Sequence, residues 1–218
     1  MRAFVAILFL GAAVSTDAPD PDGWSRFRGP NGSGVSESRR LPTEFGPTKN
    51  VIWKTGLPFG HSSPSLTRDR IFLNAARGGR LITICLDRHT GRILWEREAP
   101  RPRVEKLDSR NGPAAPTPAF DGVNVYVFFA DFGLLSYDMD GRERWRLPLG
   151  PFNNLYGMGA SPVLVDDLVV LVCDQNIEAF IVAVGQRDGR VRWKTRVRRH
   201  TAGTRRRSCT SRPARGRR

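Results

Sequence analysis

The sequence predicts an all-β fold, a partial β-propeller of about three four-stranded antiparallel blades preceded by one outer strand, with a ring that does not close. Three observations predict it. Tryptophans recur at Trp53, Trp95, Trp145 and Trp193, separated by 42, 50 and 48 residues, and a period of that size marks a repeat architecture. The last three each end a run of short apolar segments. Glycine, aspartate and proline punctuate those segments, so they read as strands joined by tight turns and not as helices.

The elements follow in order. Met1 and Arg2 precede an apolar run from Ala3 to Val14 and small residues at Ser15, Thr16 and Ala18, so residues 1–18 read as a secretory signal peptide. The run is shorter than the roughly 20 residues that span a bilayer, and no cysteine stands near the cleavage region to carry a lipid. We therefore expect a periplasmic or extracellular protein without a stable membrane anchor. Residues 19–50 form an N-terminal lead-in, residues 51–197 the repeats, and residues 198–218 a basic tail without apolar periodicity, expected to be disordered.

The first repeat begins at Ser63-Pro64-Ser65-Leu66, turns at Arg68-Asp69, continues through Arg70 to Ala75, turns at Gly78-Gly79, runs from Leu81 to Asp87, turns at Arg88 to Gly91 and ends on Arg92 to Glu96. The second matches it element for element: Thr117 to Phe120, Val123 to Ala130, Leu134 to Asp138 and Arg142 to Trp145. The third runs Ser161 to Leu164, Leu168 to Cys173, Ala179 to Val184 and Val191 to Trp193. Each unit is a small sheet with apolar faces it cannot hide alone, so neighbours must stack about a common axis. Gly91, Gly141 and Gly189 suit turns that need positive φ, and the tryptophan just after each is expected to wedge between sheets. Val51-Ile52-Trp53-Lys54 reads as an outer strand whose own sheet partners are not in the sequence.

The segment Asp87-Arg88-His89-Thr90-Gly91-Arg92-Ile93-Leu94-Trp95 resembles the signature of the pyrroloquinoline quinone (PQQ) repeat family, and the resemblance covers residues 51 to about 195. The run Trp24-Ser25-Arg26-Phe27-Arg28-Gly29-Pro30-Asn31-Gly32-Ser33-Gly34 is similar to the opening segment of secreted bacterial members. The resemblance implies a propeller whose blade loops bind protein or polysaccharide, without catalysis. It also admits a fragment of a PQQ-dependent quinoprotein oxidoreductase of the alcohol or sugar dehydrogenase type; PQQ and Ca²⁺ would be cofactors only in that case. A third likeness is to the propellers of outer-membrane assembly factors. The sequence departs from the pattern at Gly185, where the acidic residue is expected, and at the shortened turn Asp138 to Gly141. The abrupt loss of repeat and of acidic residues near residue 196 reads as a truncation or frameshift.

The net charge of +14 suggests an anionic partner until its distribution is read: ten arginines and no acidic residue fall in 196–218, leaving +4 for the rest. Nucleic acid is therefore not expected as a partner. No catalytic constellation is visible, no metal ligands are assigned, and cofactor-binding residues are unknown. Asp131, Asn153, Asn154, Asp174 and Asn176 fall in loops where oxygen ligands for Ca²⁺ would sit, but such residues ordinarily stabilise their own turns. His61, His89 and His200 are too far apart in sequence for a metal motif. His61-Ser62-Ser63 lacks a third partner and a nucleophile elbow. Asn31-Gly32-Ser33 matches a glycosylation acceptor and more plainly shapes a turn. Cys85 and Cys173 are read as buried small hydrophobes, and Cys209 lies in the tail. Phe128, Phe129, Phe132 and Tyr137 are expected between blades, with Phe152 and Tyr156 as the exposed aromatics.

Overall fold

In the computed structural model, residues 23–29, 32–39 and 41–197 are described. The signal-peptide and tail expectations, with Asn31, His200 and Cys209, lie outside the described residues. Among the described residues, twelve strands form three four-stranded antiparallel sheets, each a meander in sequence order. Blade one holds β1 (Ser65–Leu66), β2 (Arg70–Arg77), β3 (Arg80–Asp87) and β4 (Ile93–Ala99). Blade two holds β5 (Ala119–Phe120), β6 (Asn124–Phe129), β7 (Gly133–Asp138) and β8 (Glu143–Pro148). Blade three holds β9 (Val163–Val165), β10 (Leu168–Cys173), β11 (Phe180–Gly185) and β12 (Val191–Arg196). The innermost strands are shorter than the sequence suggests. Pro64, Pro118 and Pro162 lack the N–H a ladder needs, so pairing starts only after them.

Strand alternation assigns each apolar side chain to one blade interface or the other. On β6, Val125, Val127 and Phe129 pack with Phe72, Leu81 and Cys85 of blade one. Tyr126 and Phe128 pack with Val169, Leu171 and Val182 of blade three. Phe128, Phe129, Phe132 and Tyr137 are all buried between sheets, as expected. The central blade is thus apolar on both faces, which only stacking on two neighbours can satisfy.

The tryptophans do more than fill space. Trp95 Nε1 donates to Met139 O of blade two at 2.9 Å, and Trp145 Nε1 donates to Gln186 O of blade three at 2.7 Å. Each indole lies on the turn glycine of the next blade, Gly141 and Gly189 respectively, both at positive φ. A β-bulge lies opposite the tryptophan of each blade: register shifts fall at Cys85/Leu86, Ser136/Tyr137 and Ala183/Val184. An extra residue in the outer strand turns the indole out of the sheet and toward the neighbour. Residues 51–55 carry no strand, because no adjacent strand offers them a ladder. Trp53 nevertheless occupies the same seat on blade one, donating to Arg88 O at 2.8 Å.

The turns under these indoles are held by their aspartates. The amides of His89 and Thr90 donate to Asp87 Oδ1 at 3.0 and 2.8 Å, and those of Asp140 and Arg142 to Asp138 Oδ1 at 2.9 and 2.8 Å. The Thr90 hydroxyl and amide lead the contacts that hold the Asp87 carboxyl below its ordinary 3.8. In blade three Gly185 removes that side chain, and Asp188 takes over part of the task by accepting from Arg190 N at 3.0 Å.

A second chain of contacts links the inner strands. Ser63 N donates to Thr117 Oγ1 at 3.2 Å, and Thr117 N donates to Ser161 Oγ at 2.9 Å. The Thr117 and Ser161 hydroxyls, each preceding a proline, therefore accept from the equivalent amide of the blade before. The lead-in lies alongside: Trp24 and Leu66 exchange two backbone hydrogen bonds at 2.9 and 2.8 Å, and Phe120 N donates to Ser25 O at 2.9 Å.

Cys85 and Cys173 are free and buried, as expected. Burial pushes their thiols up from the ordinary 9.0, to about 11 for Cys85 and about 12 for Cys173. Both values lie above those of the unfolded chain, so the stability they contribute is intact below about pH 9.0 and is lost as pH rises through the folded values. Two results are expected: a urea midpoint that falls across that alkaline window, and a thiol reagent that labels neither cysteine in mild base until urea is added. Rapid labelling of Cys85 or Cys173 in the native protein, read on their own peptides apart from Cys209, would contradict the burial argument.

Candidate binding surface at the connecting loops

Antiparallel alternation puts all long connections at one end of the sheets. Segments 56–64, 100–118 and 149–162 lead into the innermost strands there, beside the hairpins at 78–79, 130–132 and 174–179. The tight turns lie at the other end. Long loops at one end of a rigid scaffold are where binding residues concentrate.

Four charged side chains fix the middle of this surface. Asp131, only 1% exposed, accepts from Arg101 Nε at 2.6 Å and from Glu105 N at 3.0 Å. Glu105 Oε1 accepts in turn from Arg103 Nε at 2.6 Å and Phe152 N at 2.9 Å. Arg103 Nη2 donates to Ala130 O at 2.6 Å and also to Leu149 O. The network staples segment 100–105 to the hairpin of blade two and to the connection into blade three. Its arginines give no periodic or motif signal in the sequence, because their contacts with Asp131, Ala130 and Leu149 span 30, 27 and 46 residues.

A second cluster joins blades two and three. Asn153 N donates to Gln175 Oε1 at 2.9 Å, and Asn176 N donates to Asn153 O at 2.7 Å. Asn154 Nδ2 donates to Asp174 O at 3.1 Å, while its Oδ1 accepts from Tyr156 N at 3.0 Å. The structure thus brings Asn153, Asn154, Asp174 and Asn176 together and places Asp131 apart, linked only through Glu105 and Phe152. Their polar atoms are used in holding loops. Among the described residues no group of three His, Cys, Asp or Glu side chains stands at metal-ligand spacing.

The histidines fall into local roles. His61 meets Phe59 edge to face at 4.8 Å, and Ser62 Oγ accepts from Asn74 N at 3.2 Å, so His61-Ser62-Ser63 serves the loop. His89 is a turn residue beside Asp69 at 3.2 Å.

One expectation is corrected. Phe152 is buried, packed edge to face on Phe128 at 5.7 Å and stacked near Phe180 at 6.4 Å. The Glu105 carboxylate pulls its amide, and with it the ring, into the core. Tyr156 remains at 60% exposure, flanked by Leu155 and, across the Asn153–Asn176 contact, by Ile177 at 71%. With Val104 on the neighbouring loop, also exposed, these side chains present an apolar rim on an ordered base.

Among the described residues no helix is long and apolar enough to cross a membrane. No curated protein matches the chain. Among solved structures, a europium-containing methanol dehydrogenase is similar in fold, at 16% identity and a TM-score of 0.61, over 82% of this chain and 32% of that one. BamB from Moraxella catarrhalis aligns at 16% identity and a TM-score of 0.48, over 67% of this chain and 40% of that one. A quinohemoprotein alcohol dehydrogenase from Comamonas testosteroni aligns at 16% and 0.49, over 64% and 21%. The chain spans about a third of the length of the methanol dehydrogenase. A family model described as outer membrane protein assembly factor BamB matches residues 43–218, so this chain of three repeat blades belongs to that family of PQQ-like β-propellers.

Proposed function

We propose that the chain is an exported, non-enzymatic propeller module that binds other proteins through its loop end. The observation that carries this reading is the apolar rim of Leu155, Tyr156 and Ile177 on loops locked by hydrogen bonds. Exposed apolar side chains on an ordered base contact a partner at low entropic cost, and a tyrosine at the centre of such a patch is a frequent anchor. The family description, which speaks of outer membrane protein assembly, supports a polypeptide over a polysaccharide as the partner. It also supports a periplasmic location.

The test uses an unfolded segment of an outer-membrane β-barrel protein as the probe, titrated calorimetrically into the full chain. Saturable binding is expected, weakened about tenfold or more by Tyr156→Asp or Ile177→Asp, the loss of a ~1.4 kcal/mol contact. Absence of binding, or binding that both substitutions leave unchanged, would overturn the proposal. Parallel titration with PQQ, with and without Ca²⁺, tests the oxidoreductase alternative, and we expect no saturable heat.

A further inference from the structure

The connection from blade one to blade two runs along the loop between blades two and three, and its residues alternate between base and surface. Glu105 faces in, where its Oε1 accepts from Phe152 N at 2.9 Å. Leu107 faces in as well, its Cδ2 filling the place that a Cβ on Gly157 would take. Val104 and Lys106 face out and are exposed. A period of two is that of an extended chain, in which residues i and i+2 share a face about 7 Å apart. The run then turns, with Asn111 N donating to Asp108 O at 2.9 Å, and Asn111 Nδ2 returns to Tyr156 O at 2.7 Å. These ties seat the run on residues 152–157, so Val104 and Lys106 share one ordered surface with Leu155 and Tyr156.

Charge on this surface is matched except at Lys106. Arg101 pairs with Asp131, Arg103 with Glu105, Arg110 with Asp108 and Arg196 with Glu178. The two carboxylates nearest Lys106 in sequence, Glu105 and Asp108, are thus already taken, and among the described residues no carboxylate pairs with Lys106. An exposed ion pair contributes little in water. A charge at the border of an apolar patch is different, because a partner that covers the patch excludes water and salt and leaves the pair less screened.

We propose that Val104 and Lys106 belong to the loop-end binding surface, and that the segment bound there is an extended acidic one, with an apolar and a carboxylate side chain two residues apart. The apolar side chain packs on Val104 and Tyr156, and the carboxylate accepts from Lys106 Nζ. The spacing follows from the surface: Val104 and Lys106 are themselves two residues apart on one face, and an extended partner laid along them matches that interval. The sign follows from the unmatched lysine, since complementary charge selects a partner and speeds its arrival. This inference rests on the reading of the loop end as a protein-binding surface and adds which segments that surface prefers.

Two synthetic peptides test the proposal. In both, every second residue is threonine; the other face alternates phenylalanine with glutamate in one and phenylalanine with lysine in the other. Fluorescence anisotropy of each peptide is followed on titration with the full chain. The glutamate peptide should bind about tenfold more tightly, or better. Lys106→Glu should reverse the order. Lys106→Met should bring the two peptides within about threefold of each other and flatten the fall of affinity with salt. A third peptide with phenylalanine and glutamate adjacent, and so on opposite faces, should bind about as weakly as the lysine peptide. Because Lys106 is exposed and unpaired, neither substitution should move the urea midpoint. Equal binding of the acidic and basic peptides overturns the proposal, as does a preference that Lys106→Glu leaves in place. If the chain binds the β-barrel segment, and Tyr156→Asp weakens that binding, the loop-end reading survives such a result. If neither the β-barrel segment nor the glutamate peptide binds, the loop-end reading falls and the proposal with it.

Discussion

Gly141→Val should lower the stability of the protein by about 3 kcal/mol, the sum of left-handed backbone strain of roughly 1–2 kcal/mol and overpacking of roughly 1–3 kcal/mol. Gly141 has a φ of 76°, where a β-branched residue is least at home, and a Cβ there would meet Trp95 Cδ2 at 2.7 Å and Arg97 Nε at 3.1 Å. The indole cannot yield without giving up its hydrogen bond to Met139 O at 2.9 Å, a further loss of about 1 kcal/mol. Backbone strain and steric exclusion are separated by a control. Gly78 has a φ of 57°, and a Cβ on it would find nothing within 4 Å, so Gly78→Ala should cost only about 1 kcal/mol. Urea unfolding followed by tryptophan fluorescence reads both, and Gly141→Val should also red-shift the native emission as Trp95 loses its cover. Equal costs for the two variants would mean that the glycine serves its own turn and not the blade interface.

That turn shows how much of the fold is legible in sequence. Turn glycine followed by tryptophan, three times over at similar spacing, is a local pattern, and local patterns locate strands and blades. Where each indole goes is not local. Its acceptor lies 41 to 44 residues away for Trp145 and Trp95, and the bulge that aims it depends on strand register, which no residue type marks. The same holds for residues 51–55. Their composition reads as a strand, but a strand exists only with a neighbour, and the structure keeps the docking contact while leaving out the ladder.

The loop surface is legible only in part. Residue type singles out Asn153, Asn154, Asp174 and Asn176, and the structure gathers them, but as loop ties. Phe152 reads as exposed because, unlike Phe128, Phe129, Phe132 and Tyr137, it falls outside the strands that the sequence predicts. Its burial is decided by Glu105, a residue 47 positions earlier, and by the gap between Phe128 and Phe180. Blade three supplies the reverse case. The loss of an aspartate at Gly185 reads as a break in the repeat, yet Asp188 restores a side-chain acceptor from within the same turn.

Arg101→Met should destabilise the protein by about 2–3 kcal/mol, more than Asp131→Asn, for which about 1 kcal/mol is expected. The asymmetry follows from burial. Asp131 is 1% exposed while the Arg101 side chain keeps 19%, so water reaches the guanidinium and not the carboxylate. Removing the arginine leaves a charge in the interior with one amide donor, that of Glu105 at 3.0 Å. Asparagine at 131 keeps an oxygen for that amide, and the freed guanidinium retains Gly79 O at 2.5 Å. In the double variant Arg101→Met with Asp131→Asn the uncompensated charge is gone, so the loss should fall short of the summed single effects by about 1 kcal/mol or more. Urea midpoints of the four proteins measure this coupling. If Asp131→Asn proved the more costly change, the carboxylate would have a task other than pairing with Arg101. If the pair is a staple, the damage spreads outward instead: with segment 100–105 loosened, Glu105 no longer fixes Phe152 N, the loop bearing Leu155 and Tyr156 loses its base, and amide exchange should accelerate there before it does in any strand.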